Sequence, residues 1–344
     1  MGVSPATVAR VSTGTRWGIV GPGRIAENVV RDFPHVDGAT VTAVASRSID
    51  RARDFAGRHG IATAYGSYAE LVADPDVDVL YLATPHPQHH AVALQAIAAG
   101  KALLVEKSFT ATVAGTVEVV DAARAAGVFV MEAMWTRFQP AVVRLRELIT
   151  EGAIGEVRSV QADLGVAREF DPADRLFAKE LGGGALLDLG VYVVSFAQML
   201  LGTPDTVRAT GSTFPTGVDA EAALLLGWED GRSATLTTSL RNALPGQARV
   251  FGTEGWIDVL PRFHHPATIV LHRAGADADA DADAETTTLP ATGTGYSHEI
   301  AEVHEGVLAG RTESAVMPLA DTVAVMRVLE EAAGQLGVAF TEAR

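Results

Sequence analysis

Three groups of residues in this 344-residue chain have the types and spacing for moving a hydride and a proton. The first is Gly21-Pro22-Gly23-Arg24-Ile25-Ala26, behind the apolar run Trp17-Gly18-Ile19-Val20 and ahead of a helix-compatible stretch. There, Gly21 permits a tight strand-to-helix turn, Gly23 lets the backbone approach a pyrophosphate, and the small Ala26 lets the helix pack on its sheet. A glycine-rich surface turn is the alternative. A nicotinamide dinucleotide is the reading because the run Ala39 to Ala45 follows as a second strand, ending in Ser46-Arg47-Ser48. An NAD site places an acid near this point, about 20 residues past the glycines. No acid occupies positions 45 to 49. Arg47, and Arg51 one helical turn later, can clamp a 2'-phosphate, so NADP is favoured over NAD, with Asp50 the acid that would restore NAD.

Oxidising an alcohol also needs a group that takes the hydroxyl proton and a cation beside it. Lys107 ends the strand that runs to Glu106, at the carboxyl edge of the sheet, where ligands of doubly wound folds bind; Glu106 is expected to point the other way. A solvated strand-end lysine is the alternative. Asp188 and Tyr192 lie four residues apart in the glycine-rich helix entry Gly182 to Tyr192, so both fall on one face, where apolar neighbours would tune them. A core tyrosine with a capping aspartate is the other reading. His86 and His89 flank Pro87-Gln88 after a strand and the Thr84-Pro85 turn, placed to touch the nicotinamide or its ribose. Trp135-Thr136-Arg137-Phe138, at the junction of two domains, offers an aromatic wall for a substrate or plain interdomain packing. His89-His90 and His264-His265 are adjacent pairs that point apart on regular elements, so no metal site is expected.

Alternating β-rich runs and amphipathic stretches put these residues on an α/β chain. Residues 1–134 read as a doubly wound Rossmann domain. A strand at Val77 to Ala83 is followed by a helix from His89 to Ala99, and a helix over Val113 to Ala126 closes at Gly127. Residues 135–344 read as a C-terminal α+β substrate and dimerisation domain with a large, mostly antiparallel open sheet. Its strands are expected near 157–163, 206–211, 221–228, 233–239, 247–252, 255–259 and 268–272, with helical periodicity from Tyr296. One face of that sheet is a candidate surface for a homodimer or homotetramer, or else solvated. Ala274 to Thr288, rich in alternating Ala and Asp, reads as a solvated mobile loop.

Composition narrows the partners. The 42 acids against 27 bases give a formal charge of −15, which argues against nucleic acid and anionic membranes and leaves small molecules. Without cysteine there are no disulfides or thiolate metal sites. The first fifteen residues lack an apolar core of leader length, and no run of ~18 apolar residues is found, so a soluble cytoplasmic protein is expected.

Taken together, these motifs resemble the Gfo/Idh/MocA family of nicotinamide oxidoreductases, and within it the dimeric dihydrodiol dehydrogenase and NADP D-xylose dehydrogenase branch. The resemblance covers almost the whole chain. It rests on residues 17–26, Tyr65-Gly66-Ser67-Tyr68, His86-Pro87-Gln88-His89, Val105-Glu106-Lys107, residues 131–138 and residues 183–192. It implies that Lys107 and Tyr192 form the catalytic pair with Asp188 beside them. It implies a cofactor site of Gly21, Gly23, Arg24, Ile25, Ser46, Arg47, Arg51, Thr84, His86, His89, Glu106 and Lys107, and a substrate wall of Trp135, Arg137 and Phe138. Sugars, polyols and trans-dihydrodiols are the implied substrates. A glycosidase that retains NAD and a non-catalytic NADP-binding regulator are the alternatives. One residue departs from the pattern: relatives follow the Glu-Lys pair with proline, and Ser108 here is expected to seat Lys107 less firmly.

Overall fold

A computed structural model describes residues 14–273 and 284–343. Six parallel strands form the first sheet: β1 (Thr15–Val20), β2 (Ala39–Ala45), β3 (Thr63–Tyr65), β4 (Val79–Leu82), β5 (Ala102–Glu106) and β6 (Val130–Ala133). Their order is β3-β2-β1-β4-β5-β6, so the direction of winding reverses between β1 and β4 and leaves a crevice at the carboxyl ends there. β4 and β5 are buried at every position, as strands covered on both faces must be. The connecting helices are α1 (Arg24–Val30), α2 (Ile49–His59), α3 (Tyr68–Val72), α4 (His86–Ala98) and α5 (Val113–Ala126). The Ser48 hydroxyl caps α2, and Gly127 ends α5 in the left-handed conformation.

Helix α4 begins three residues earlier than its sequence suggests. Pro87 falls in the first turn, where its missing N–H has no partner to lose, so the helix accommodates it. His86 and His89 therefore share one helix, with their rings 5.9 Å apart.

A 3-10 turn, Trp135–Phe138, leads into α6 (Pro140–Thr150). The second sheet then collects β7 (Val157–Gly165), β8 (Thr206–Thr213), β9 (Asp219–Gly227), β10 (Ser233–Ser239), β11 (Ala248–Gly252), β12 (Gly255–Val259), β13 (Thr268–Arg273) and β14 (Glu285–Thr288). Its order is β14-β13-β12-β11-β7-β10-β9-β8, antiparallel except for the parallel pair β7 and β10. α7 (Val191–Leu201) packs on β7 and β10. No described residue covers the opposite face: one register row runs Leu225, Thr235, Gln161, Arg249, and all four are exposed.

One expectation needs revision, at the end of the Ala-Asp segment. Most of the Ala-Asp segment, residues 274–283, lies outside the described residues, as does the stretch 1–13 read for a leader. Its last four residues, Glu285–Thr288, form the edge strand β14 instead of a loop, because three successive β-branched threonines suit a pleated edge beside β13. The helical stretch Lys179–Leu201 is long and apolar enough to cross a membrane by composition, yet it lies mostly buried within the fold as a core element. The last helices, α8 (Ser297–Leu308) and α9 (Leu319–Gln335), turn back to the first sheet, α8 against β1 and β2 and α9 against β6 and α5.

Candidate active site

Lys107 lies one residue past β5, and its ammonium reaches the segment ahead of α7. Nζ donates to the Asp188 carbonyl at 2.7 Å, lies 3.5 Å from Asp188 Oδ1, and stands 4.7 Å from the centroid of the Tyr192 ring. Lysine, aspartate and tyrosine from two distant stretches of chain thus meet at one point. The Lys107–Ser108 bond is cis. The looser seat expected from Ser108 is not found: its hydroxyl donates to the Leu187 carbonyl at 2.9 Å, an anchor that proline could not supply.

Leu186–Gly190 is a π turn, a wider winding common at functional sites, and it sets Asp188 and Tyr192 around the ammonium. Asp219, which no sequence pattern marks, holds the start of this turn by accepting the Leu186 N–H at 2.6 Å; burial lifts its pKa to about 6. Asp188 is not a cap. Burial pushes its pKa up, but Lys107 and Arg175, whose Nη2 lies 3.1 Å away, hold it well below the usual carboxylate range. The Tyr192 phenol is driven well above its ordinary value, first by burial and then by the Glu106 and Asp188 carboxylates, so it carries its proton at neutral pH.

The sheet side is occupied by protein partners. Glu106 turns away from the lysine side chain, accepting the Tyr81 hydroxyl at 2.5 Å and the Lys107 N–H at 3.2 Å, so both oxygens are engaged without a cofactor. His86 borders Lys107 with Nδ1 3.2 Å from the Gly182 carbonyl; burial, then His89 and Lys107, push its pKa down to about 3. His89, expected from sequence to touch the nicotinamide or its ribose, has both ring nitrogens against backbone carbonyls. It is fully buried, with Nε2 2.7 Å from the Thr84 carbonyl and Nδ1 3.1 and 3.2 Å from the Ser108 and Phe109 carbonyls, which ties the lysine loop to the β4 turn.

Arg137 is likewise turned from the cleft. Its guanidinium, 2% exposed, pairs with Asp321 at 2.6 Å and donates to Gln198 at 2.6 Å and Ser195 at 3.2 Å, joining the turn after β6 to α7 and α9. Phe138 packs into the apolar core beside it. Of the proposed wall, Trp135 alone faces ring neighbours: it stacks on Tyr296 at 4.3 Å and 6° and lies 5.1 Å from His265. His264 stands 5.1 Å from the Tyr192 ring, and burial holds its pKa down to about 2. The adjacent histidines, read from sequence as diverging, both line this aromatic cluster; the irregular loop after β12 carries no period that would reveal it.

The crevice at the β1 turn fits a dinucleotide. Gly21 has φ +91°, and a Cβ there would crowd the Ala83 carbonyl at 3.1 Å. A Cβ on Gly23 would meet nothing within 4 Å, so the turn faces open space, and α1 has no side-chain cap on its first N–H groups. Arg24 is exposed and Ile25 half-buried in the same turn, and the Thr84 hydroxyl, buried beside Gly21, has no partner among the described residues. At the end of β2, Ser46 accepts the Ser48 N–H at 3.2 Å, while Arg47 and Arg51 are exposed and form no ion pair among the described residues. No cluster of three or more potential metal ligands occurs among the described residues.

Comparison with known proteins bears on this arrangement. Residues 15–134 match the oxidoreductase family model with an NAD-binding Rossmann fold, and residues 142–258 match the GFO/IDH/MocA C-terminal domain. A trans-1,2-dihydrobenzene-1,2-diol dehydrogenase of Xenopus tropicalis is 39% identical over 95% of this chain and 99% of its own. The chain belongs to the Gfo/Idh/MocA family. As a member, it is an NAD(P)-dependent dehydrogenase acting on CH–OH groups. A 3-ketoreductase from Actinomadura kijaniata, solved with NADP and TDP-benzene, superposes with a TM-score of 0.81 at 27% identity, covering 94% of this chain and 98% of that one. Levoglucosan dehydrogenase, solved with NADH and levoglucosan, shares the fold with a TM-score of 0.85 at 22% identity over 94% and 98% of the two chains.

Replacing Arg137 with Met should separate the two roles open to it. The variant is expected to lose about 3 kcal/mol of stability in urea, because Asp321 and Gln198 lose their buried partner, while substrate KM stays within about twofold. A KM that rises with stability unchanged would return Arg137 to the substrate site.

Proposed function

We propose that this dehydrogenase transfers a hydride between NADP and a secondary alcohol or hemiacetal of a sugar, polyol or trans-dihydrodiol. The observation that carries the reading is the Lys107 ammonium, 4.7 Å from the Tyr192 ring centroid and held by the Asp188 carbonyl. In reduction the Tyr192 phenol gives its proton to the carbonyl oxygen as hydride reaches the carbon; in oxidation the Tyr192 phenolate takes the hydroxyl proton as the carbon–hydrogen electron pair leaves. Bound NADP supplies the hydride acceptor. Lys107 stabilises the developing tyrosinate, and Asp188, charged between Lys107 and Arg175, fixes the ammonium. The flat Trp135–Tyr296 stack suits a planar or chair-like ring, in keeping with the dihydrodiol dehydrogenases to which this chain is similar.

Arg47 and Arg51 are the phosphate clamp in this reading. Replacing both with Ala is expected to raise KM for NADP about tenfold or more and leave KM for NAD unchanged. Equal losses for the two dinucleotides would remove the NADP preference from the proposal.

The proton logic gives a second expectation, read from hydride transfer on a panel of sugars, polyols and dihydrodiols. With the phenol pKa raised, the proton donor for carbonyl reduction stays in place from neutral to mildly alkaline pH, whereas oxidation speeds up as pH rises. Tyr192→Phe and Lys107→Met should each lower kcat by about 10²- to 10⁴-fold. Turnover unchanged in both variants would overturn the assignment.

The uncovered sheet face, with Leu225 more than half exposed, supports a homodimer or homotetramer through the row Leu225, Thr235, Gln161, Arg249. Sedimentation should give a dimeric or tetrameric mass that Leu225→Lys shifts to monomer; a wild-type monomer at micromolar concentration would exclude it.

A further inference from the structure

The loop that leads into α8 is gripped by a residue from the opposite end of the sequence. Asp32 follows α1 closely and is 1% exposed. Its carboxylate accepts five hydrogen bonds from this loop. The Thr294 N–H reaches both oxygens at 2.9 and 3.0 Å, the Thr294 hydroxyl bonds at 3.0 Å, and the Tyr296 and Ser297 N–H groups bond at 2.8 and 3.1 Å. No neighbouring side chain caps α8, so a carboxylate 265 residues away from Ser297 satisfies its first donors. Gly293, at φ +62°, makes the approach feasible, since a Cβ there would come within 2.6 Å of Asp32 Oδ1.

What this grip fixes is Tyr296, the residue stacked face to face on Trp135. From the other side, the Gln139 amide donates to the Gly295 and Trp135 carbonyls at 3.0 and 3.2 Å, so the loop and the indole turn are bound to one another as well. The phenol ring, and with it the indole plane, is therefore referenced to the end of a Rossmann helix.

We propose that Asp32 is a positioning residue for the substrate, acting through Tyr296 to hold Trp135 in the plane against which the substrate ring lies. This rests on reading Trp135 as the substrate wall. The carboxylate touches neither the reacting atoms nor the dinucleotide turn, so its removal should loosen substrate binding and spare the chemistry.

Asp32→Asn keeps the volume but sets an NH2 group against the donors of the loop. KM for a trans-dihydrodiol is expected to rise about tenfold, with kcat and KM for NADP within about twofold. In a Tyr296→Leu background the same change should add nothing, because its route is already cut. Thr294→Val, which deletes one of the five bonds, should give a smaller rise of the same kind and serves if the Asn chain does not fold. A readout independent of turnover is the emission of Trp135, isolated as the difference between each chain and its Trp135→Phe counterpart. It should shift to the red in Asp32→Asn as the stack opens. Unmoved Trp135 emission, an unmoved KM in folded protein, or additive effects with Tyr296→Leu would overturn the role of Asp32. A wild-type chain inactive on the whole alcohol panel would overturn the dehydrogenase substrate reading alone, and the emission would still decide Asp32.

Discussion

The site depends on keeping one ammonium in a cleft that is mostly closed to water. A desolvated cation is costly unless charge and hydrogen-bonding partners surround it. Lys107 receives both from a single residue, the carbonyl and the carboxylate of Asp188, and Arg175 shares the same carboxylate oxygen, Oδ1. The remaining direction is open toward the Tyr192 ring. That geometry exists only if the end of β5 and the π turn before α7 are mutually rigid. Ser108 joins the two through the Leu187 carbonyl, Asp219 braces the π turn at the Leu186 N–H, and His89 braces the lysine loop, its ring lying between the Ser108 and Thr84 carbonyls.

Around this cation the protein buries acids of opposite electrostatic character. Burial raises Glu132 to about 7 and Asp219 to about 6, while Asp188 is depressed by its two cations. A carboxyl whose folded pKa is raised adds stability that is complete below its unfolded pKa and fades as pH climbs to the folded value. Asp188 works in the other sense, stabilising above its unfolded pKa and losing that contribution in acid. The two act in separate windows: the raised acids weaken the fold as pH climbs from the ordinary carboxylate range toward neutrality, and Asp188 weakens it as pH falls below that range.

Much of this was legible in the residues themselves. Continuous apolar runs give most of the Rossmann strands, which are covered on both faces, and alternation gives those of the second sheet except the edge strand β14. Gly21, Gly23 and Lys107 are readable because their positions follow from a turn and a strand end. Arg137 is not, because a guanidinium at a domain junction looks the same whether it faces a cleft or a half-buried aspartate on a later helix. His89 fails for a related reason: its partners are carbonyls, which every residue has. Asp32 and Asp219 are single acids without a local pattern, and their partners sit 262 and 33 residues away. Pairings of that span are set by tertiary packing, and spacing along the chain carries no trace of them.

The return of the last two helices to the first sheet bears on how the molecule is made. α8 lies on β1 and β2, the Thr312 carbonyl accepts the Val130 N–H at 3.1 Å, and Glu342, close to the end of the chain, accepts the Ala111 and Thr112 N–H groups ahead of α5. During synthesis the glycine turn and its sheet precede α8, Thr312 and Glu342, so the nucleotide-binding layers are sealed only after those later segments pack on them. A nascent chain therefore gains its finished coenzyme crevice when α8 and α9 dock, not when the glycine turn is complete.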